Sequence, residues 1–129
     1  MELIMTTKTK TEQLVNALLY ETNEGKITWC VIEPPRSLTD ETEQSVPLFL
    51  KTEYKGKCIG VYDLRSKYFY DEHQFYWTEN IGLCIIDSQG RVIWEANSYF
   101  PKLLDLFNLA REKASGLDDI LGDIIDDLI

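Results

Sequence analysis

Residues 80–96, NIGLCIIDSQGRVIWEA, decide how the rest of the chain is parsed. Ile81, Leu83 and Ile85 alternate with Gly82, Cys84 and Ile86. Asp87-Ser88-Gln89-Gly90 follows as a turn signal, with a glycine to accept positive φ, and Arg91 to Glu95 forms a second β-branched run. Two such runs around a Gly-bearing turn predict a β-hairpin. Apolar residues stand on both phases in places, so at least one of the strands should be central and covered on one face.

Upstream, the same alternation recurs. Lys26 to Ile32 reads as a first strand, with Ile27, Trp29 and Val31 on one face and Thr28, Cys30 and Ile32 on the other. Pro34 and Pro35 stop it, because proline cannot donate to a ladder. Residues 33–45 are polar and predict a surface loop. Val46 to Tyr54 and Lys57 to Leu64 are a second and a third strand around a tight Lys55-Gly56 turn. Lys67 to Trp77, KYFYDEHQFYW, holds Tyr68, Phe69, Tyr70, Phe75, Tyr76 and Trp77. It predicts strand extensions on both sides of a loop from Asp71 to Gln74, leading into the opening hairpin. Consecutive antiparallel strands make a meander of about five strands.

Helical periodicity brackets this sheet. Thr9-Lys10-Thr11-Glu12 matches a capping box, Leu14, Val15, Leu18 and Leu19 give one apolar stripe, and Gly25 ends the helix. Residues 1–8 read as a flexible lead-in. After Asn97-Ser98 leaves the sheet, Pro101 suits a first helical position, and Leu103, Leu106, Phe107, Ala110 and Ala114 follow at helical spacing. Ser115-Gly116 is a break, with Ser115 and Asp118 repeating the capping pattern. The last stretch carries Leu117, Ile120, Leu121, Ile124, Ile125, Leu128 and Ile129 on one face, and Asp118, Asp119, Asp123, Asp126 and Asp127 elsewhere. Helix, meander and two helices define a single α+β domain over residues 1–129, with the terminal helices covering one face of the sheet.

Composition narrows the function classes. The chain has 129 residues, 44% of them hydrophobic and 27% charged, which fits one globular domain with a real core. The net charge of −9 opposes direct binding to a nucleic-acid backbone and favours a basic partner. No apolar run approaches the ~20 residues that span a bilayer. Cys30, Cys58 and Cys84 are odd in number and widely spaced, which points to free thiols in a reducing, cytoplasmic setting. Zinc sites usually offer ligands in close pairs, and His73 is the one histidine, so no metal site is expected. With no nucleotide-loop glycines and no H-E-x-x-H, neither a catalytic residue nor a cofactor is expected.

Two stretches remain as candidate partner-binding surfaces. Tyr68, Tyr70, Phe75, Tyr76 and Trp77 either fill the core or form an exposed patch, since tyrosine and tryptophan dominate interface hot spots. Asp118, Asp119, Asp123, Asp126 and Asp127 either engage a basic partner or form the solvated side of a helix whose apolar side is buried. The leading expectation is a non-catalytic protein-interaction module. Its rivals are an acidic inhibitor of immunity type that blocks a basic nucleic-acid-binding surface, and a small-ligand sensor using the aromatic segment. Apolar surface in excess of what one sheet face can hide also predicts a homodimer, through the outer face of the sheet or the last helix.

Ile85 to Ala96 looks like the strand–turn–strand phrase of PAS-type sensor domains, whose fold places helices between its second and third strands; no helical pattern stands in that interval here. The order Glu24-Gly25-Lys26-Ile27-Thr28-Trp29, meander, Leu103-Leu104-Asp105-Leu106-Phe107, then Ala110-Arg111 to Gly116-Leu117-Asp118-Asp119-Ile120-Leu121 is similar to small bacterial helix–β-meander–helix proteins. That resemblance implies a fold and a bacterial source, and no activity.

Overall fold

The computed structural model describes residues 7–40, 43–96 and 101–128. It is an α+β fold, as expected: an N-terminal helix, a five-stranded antiparallel sheet and two C-terminal helices. The elements are α1 (Thr7–Asn23), β1 (Cys30–Ile32), α2 (Arg36–Thr39), β2 (Ser45–Tyr54), β3 (Lys57–Asp71), β4 (Gln74–Ile86), β5 (Val92–Ala96), α3 (Pro101–Ser115) and α4 (Leu117–Asp127). The strands run in sequence order, β1-β2-β3-β4-β5, so the sheet is a pure meander. Its turns carry the left-handed residues they need: Lys55 and Gly56 both have positive φ between β2 and β3, and Gly90 does between β4 and β5. The Asp87 carboxylate secures the second turn by accepting from the backbone N–H of Gln89 and Arg91 and from the Arg91 guanidinium.

Alternation along β3 and β4 builds a core on each face. On one face Leu50, Ile59, Val61 and Leu83 pack under Val15 and Leu18 of α1 and Leu103, Leu106, Phe107 and Ala110 of α3. On the other, Val46, Phe49, Tyr62, Leu64, Cys84 and Ile86 form a smaller cluster with Leu38 of α2. Phe49 and Tyr62 stack at 5.5 Å, and each ring closely approaches a strand glycine. A Cβ on Gly60 would collide with Phe49, and one on Gly82 with Tyr62.

Several local expectations are corrected. The first strand covers only Cys30–Ile32, because the Thr28 carbonyl accepts from the Thr52 hydroxyl (2.7 Å) and the Trp29 indole donates to Thr22 of α1 (2.9 Å). Side chains thus replace the ladder before Cys30. The loop over residues 33–45 contains the single helical turn α2, with Leu38 buried. Thr9 lies inside α1 and does not cap it, since the helix already includes Thr7 and Lys8. Gly116 precedes α4 in the left-handed region with no side-chain cap, and the Ser115 hydroxyl donates back to the Glu112 carbonyl. Asn97, Ser98, Ile129 and residues 1–6 of the expected lead-in lie outside the described residues.

Candidate functional site

The hairpin of β3 and β4 outruns the sheet. Among the described residues β2 accompanies β3 only as far as the Ser45–Arg65 pair, and β5 accompanies β4 only from Leu83 to Ile86. From Ser66 to Asp71 and back from Gln74 to Thr78 the two strands pair, among the described residues, with each other alone. This arm is about 20 Å long at ~3.3 Å per residue. Glu72 and His73 form its tip, where the Asp71 carboxylate accepts from the Glu72 N–H and the Tyr70 hydroxyl donates to Gln74.

A two-stranded ribbon is marginal in water, and cross-strand rings hold this one. Register splits its aromatics between two faces. Tyr68 lies opposite Tyr76 with ring centroids at 5.1 Å, and Tyr70 stacks on Tyr76 at 6.0 Å. This tyrosine face continues the phase of Tyr62 and Leu64. Phe69 lies opposite Phe75, Phe75 meets Trp77 edge-on, and the Lys67 ammonium sits 4.7 Å from the Phe75 centroid and 5.4 Å from that of Trp77. This second face continues the phase of Val61, the helix-covered side. All six aromatics are 40–61% exposed, so the segment is surface, not core.

At the base of the arm a charged cluster marks the change from core to surface. Asp63, Arg65 and Glu79 share the helix-side phase; Arg65 Nε donates to Glu79 Oε1 at 3.1 Å and lies 3.9 Å from Asp63 Oδ2. Burial, then the hydrogen bond to Glu79 and its charge, push the Asp63 carboxyl up to about 6, against the pull of Arg65 and Arg111. Glu79 is held below the usual carboxylate range by its bonds to Asp63 and Arg65. Asp63 Oδ1 is buried and has no hydrogen-bond partner among the described residues. Two open grooves meet at Glu79: one of about 490 Å³ lined by Ser45, Arg65, Trp77 and Thr78, and one of about 280 Å³ lined by Asp63, Ile81, Leu104, Phe107, Asn108 and Arg111.

The second predicted surface is α4. Asp118, Asp119, Asp123, Asp126 and Asp127 are all exposed, as expected. The expected burial of the apolar side does not occur. No residue of α4 is buried; Ile120, Leu121, Ile124, Ile125 and Leu128 are 45–80% exposed. The helix meets the rest of the domain chiefly through α3. The aromatic and acidic candidates therefore stand on separate elements. In the sequence Lys67 and the Asp63 cluster carry no site role, and Phe69 counts only among the six aromatics; the aliphatics of the last helix stand there as a candidate dimer surface. Asp63 had a legible signal, as a carboxylate continuing the inward phase of Ile59 and Val61.

The thiols are spread over the sheet. Cys30 is exposed on the edge strand, while Cys58 is half-buried and Cys84 buried on the tyrosine-side face. Burial raises both of the latter thiols, Cys84 to about 12. His73 lies at the arm tip, some ten residues along β4 from Cys84, about 33 Å at ~3.3 Å per residue. Among the described residues no group of three or more His, Cys, Asp or Glu side chains is placed to hold a metal ion, and no helix is long and apolar enough to cross a membrane. Comparison of the chain with protein-family models, curated proteins and solved structures returns no match.

Proposed function

We propose that this chain is a non-catalytic protein-binding module whose docking element is the tyrosine face of the arm. The observation that carries the reading is the row Tyr68, Tyr70 and Tyr76, in mutual ring contact and exposed beyond the reach of the neighbouring strands. Tyrosines on a rigid ribbon offer large amphipathic contact area and lose little side-chain entropy on binding. The grooves beside Trp77 and Asp63 are open to solvent, which supports a macromolecular surface over the enclosed pocket a small-ligand sensor would use. A cytosolic setting belongs to the proposal, supported by three scattered free thiols.

A photo-cross-linking residue at Tyr68 or Tyr76, compared with one at exposed Glu112, tests this in the source cell. The expected result is a discrete adduct from the two arm positions alone. Equal labelling from all three positions overturns the reading.

A second reading has its own observation. Five exposed aspartates lie on α4, and no Lys or Arg follows Lys113. They support an inhibitor that blocks a basic surface. Salt separates the two readings, because exposed charge pairs are screened beyond ~8 Å at physiological ionic strength and ring contacts are not. A partner lost in high salt favours α4; one retained favours the arm.

A further inference from the structure

We propose that two copies of this chain exchange α4, each helix lying along the Phe75–Trp77 face of the other copy's arm. The tyrosine face stays free, so this inference stands or falls separately from the function proposed above.

The helix lacks a cover of its own. Eleven residues are too few for a stable isolated helix in water, where the threshold is ~12–15, and Gly122 weakens it further. Its aliphatic stripe runs through Leu117, Ile120, Leu121, Ile124, Ile125 and Leu128, and none of these residues is buried among the described residues. At ~100° per residue, Asp118 and Asp127 border that stripe on opposite sides, with Asp119, Asp123 and Asp126 behind. Packing α4 against α4 would set these aspartates beside one another with no cation between them.

The helix-side face of the arm and the groove at its base have the complementary character. Phe69, Phe75 and Trp77 make the arm's face apolar, and Ile81, half-exposed Leu104 and Phe107 line the groove below it. The charges here are three cations, Lys67 on the arm with Arg65 and Arg111 below it, against two carboxylates, Asp63 and Glu79, so positive charge is in excess. Arg65 holds Glu79, but Lys67 and Arg111 form no ion pair among the described residues. The lengths agree: α4 is about 16 Å long at ~1.5 Å per residue, against an arm of about 20 Å. Within one chain α4 meets α3 and makes no substantial contact with its own arm. A second copy brings the two unpartnered surfaces together, and two-fold symmetry forms the contact twice.

Two reporters, each with one introduced cysteine besides the buried Cys84, in a Cys30→Ser, Cys58→Ser background test the exchange. One chain carries Ile124→Cys and the other Phe75→Cys; circular dichroism confirms that each folds. Under mild oxidation the expected product is a dimer of twice the 15.0 kDa chain mass, formed in the mixture and by neither variant alone. Cross-linking of the Ile124→Cys chain to itself means that α4 pairs with α4, and overturns the proposal. So does a monomer in sedimentation at tens of micromolar, or a dimer that the mixture fails to cross-link. In the unmodified chain, Lys67→Glu should weaken the dimer by about tenfold, and adding Asp118→Lys with Asp127→Lys should recover it. A Lys67→Glu dimer as tight as the parent removes the charge argument and the proposal with it.

Discussion

α3 and α4 follow one another with a single residue between them and end in opposite environments. Both are amphipathic, and α4 is the more sharply so. Yet Leu103, Leu106, Phe107 and Ala110 of α3 are buried, while α4 buries nothing. The difference lies in what each helix finds opposite. α3 meets a sheet face with Val61 and Leu83 fully buried beneath it, flanked by α1. Among the described residues no strand or helix buries the apolar stripe of α4. Amphipathicity shows that a face seeks cover, and the rest of the fold decides whether the same chain supplies it.

Truncating one stripe position in each helix tests the contrast most severely. Leu106→Ala should cost about 2–5 kcal/mol in urea denaturation, because it opens a cavity at a fully buried site. Ile124→Ala, measured on dilute protein, should change stability by less than about 0.5 kcal/mol. Similar losses in both would place α4 in the core and end the comparison.

Glycines give a smaller version of the same experiment. Gly82→Ala forces a methyl into the Tyr62 ring and should cost about 1–3 kcal/mol. Nothing lies within 4 Å of a Cβ on Gly122, so Gly122→Ala should raise helicity, favoured by up to about 1 kcal/mol in propensity. Circular dichroism reads the second and denaturation the first.

Carboxylates sharpen it through pH. Asp63 faces the cleft under α3, and its folded value of about 6 exceeds the ~3.9 of an unfolded aspartate. Its contribution is fully present below the unfolded value and is lost as pH rises towards the folded one. Glu79, held low, has the opposite sign, but its contribution is complete above the ordinary glutamate range. Urea midpoints should therefore fall between about pH 5 and pH 7 in the parent, and Asp63→Asn should flatten that slope. An unchanged slope would mean that Asp63 is solvated.

Thiol labelling is the mildest test. Exposed Cys30 should react rapidly with iodoacetamide at neutral pH. Cys84, buried and raised to about 12, should react only on unfolding. Rapid labelling of both in the native protein would contradict the second core.

The meander, its turns and the stripes of α1 and α3 were legible because each rests on local chemistry: alternation, a left-handed glycine, a 3.6-residue repeat. The exposure of the arm was not. Tyr68 to Trp77 alternates as Ile59 to Leu64 does, and only the stopping points of β2 and β5 separate surface from core. The shortness of β1 was hidden for a similar reason, since it depends on Thr52, distant in sequence, taking the Thr28 carbonyl. Both capping motifs misled because a Ser/Thr–acid spacing also occurs within a helix and at a glycine hinge.

The three tryptophans occupy three different optical environments. Trp29 is buried with its indole N–H held by Thr22, Trp94 is half-covered against the helix-side core, and Trp77 stands on the arm beside Lys67. Emission from Trp29 should lie to the blue and resist a water-soluble quencher, while emission from Trp77 should lie to the red and be quenched readily. The chain therefore carries an unlabelled fluorescent gauge: unfolding shifts Trp29 most, and occupation of the Phe75–Trp77 face shifts Trp77 alone.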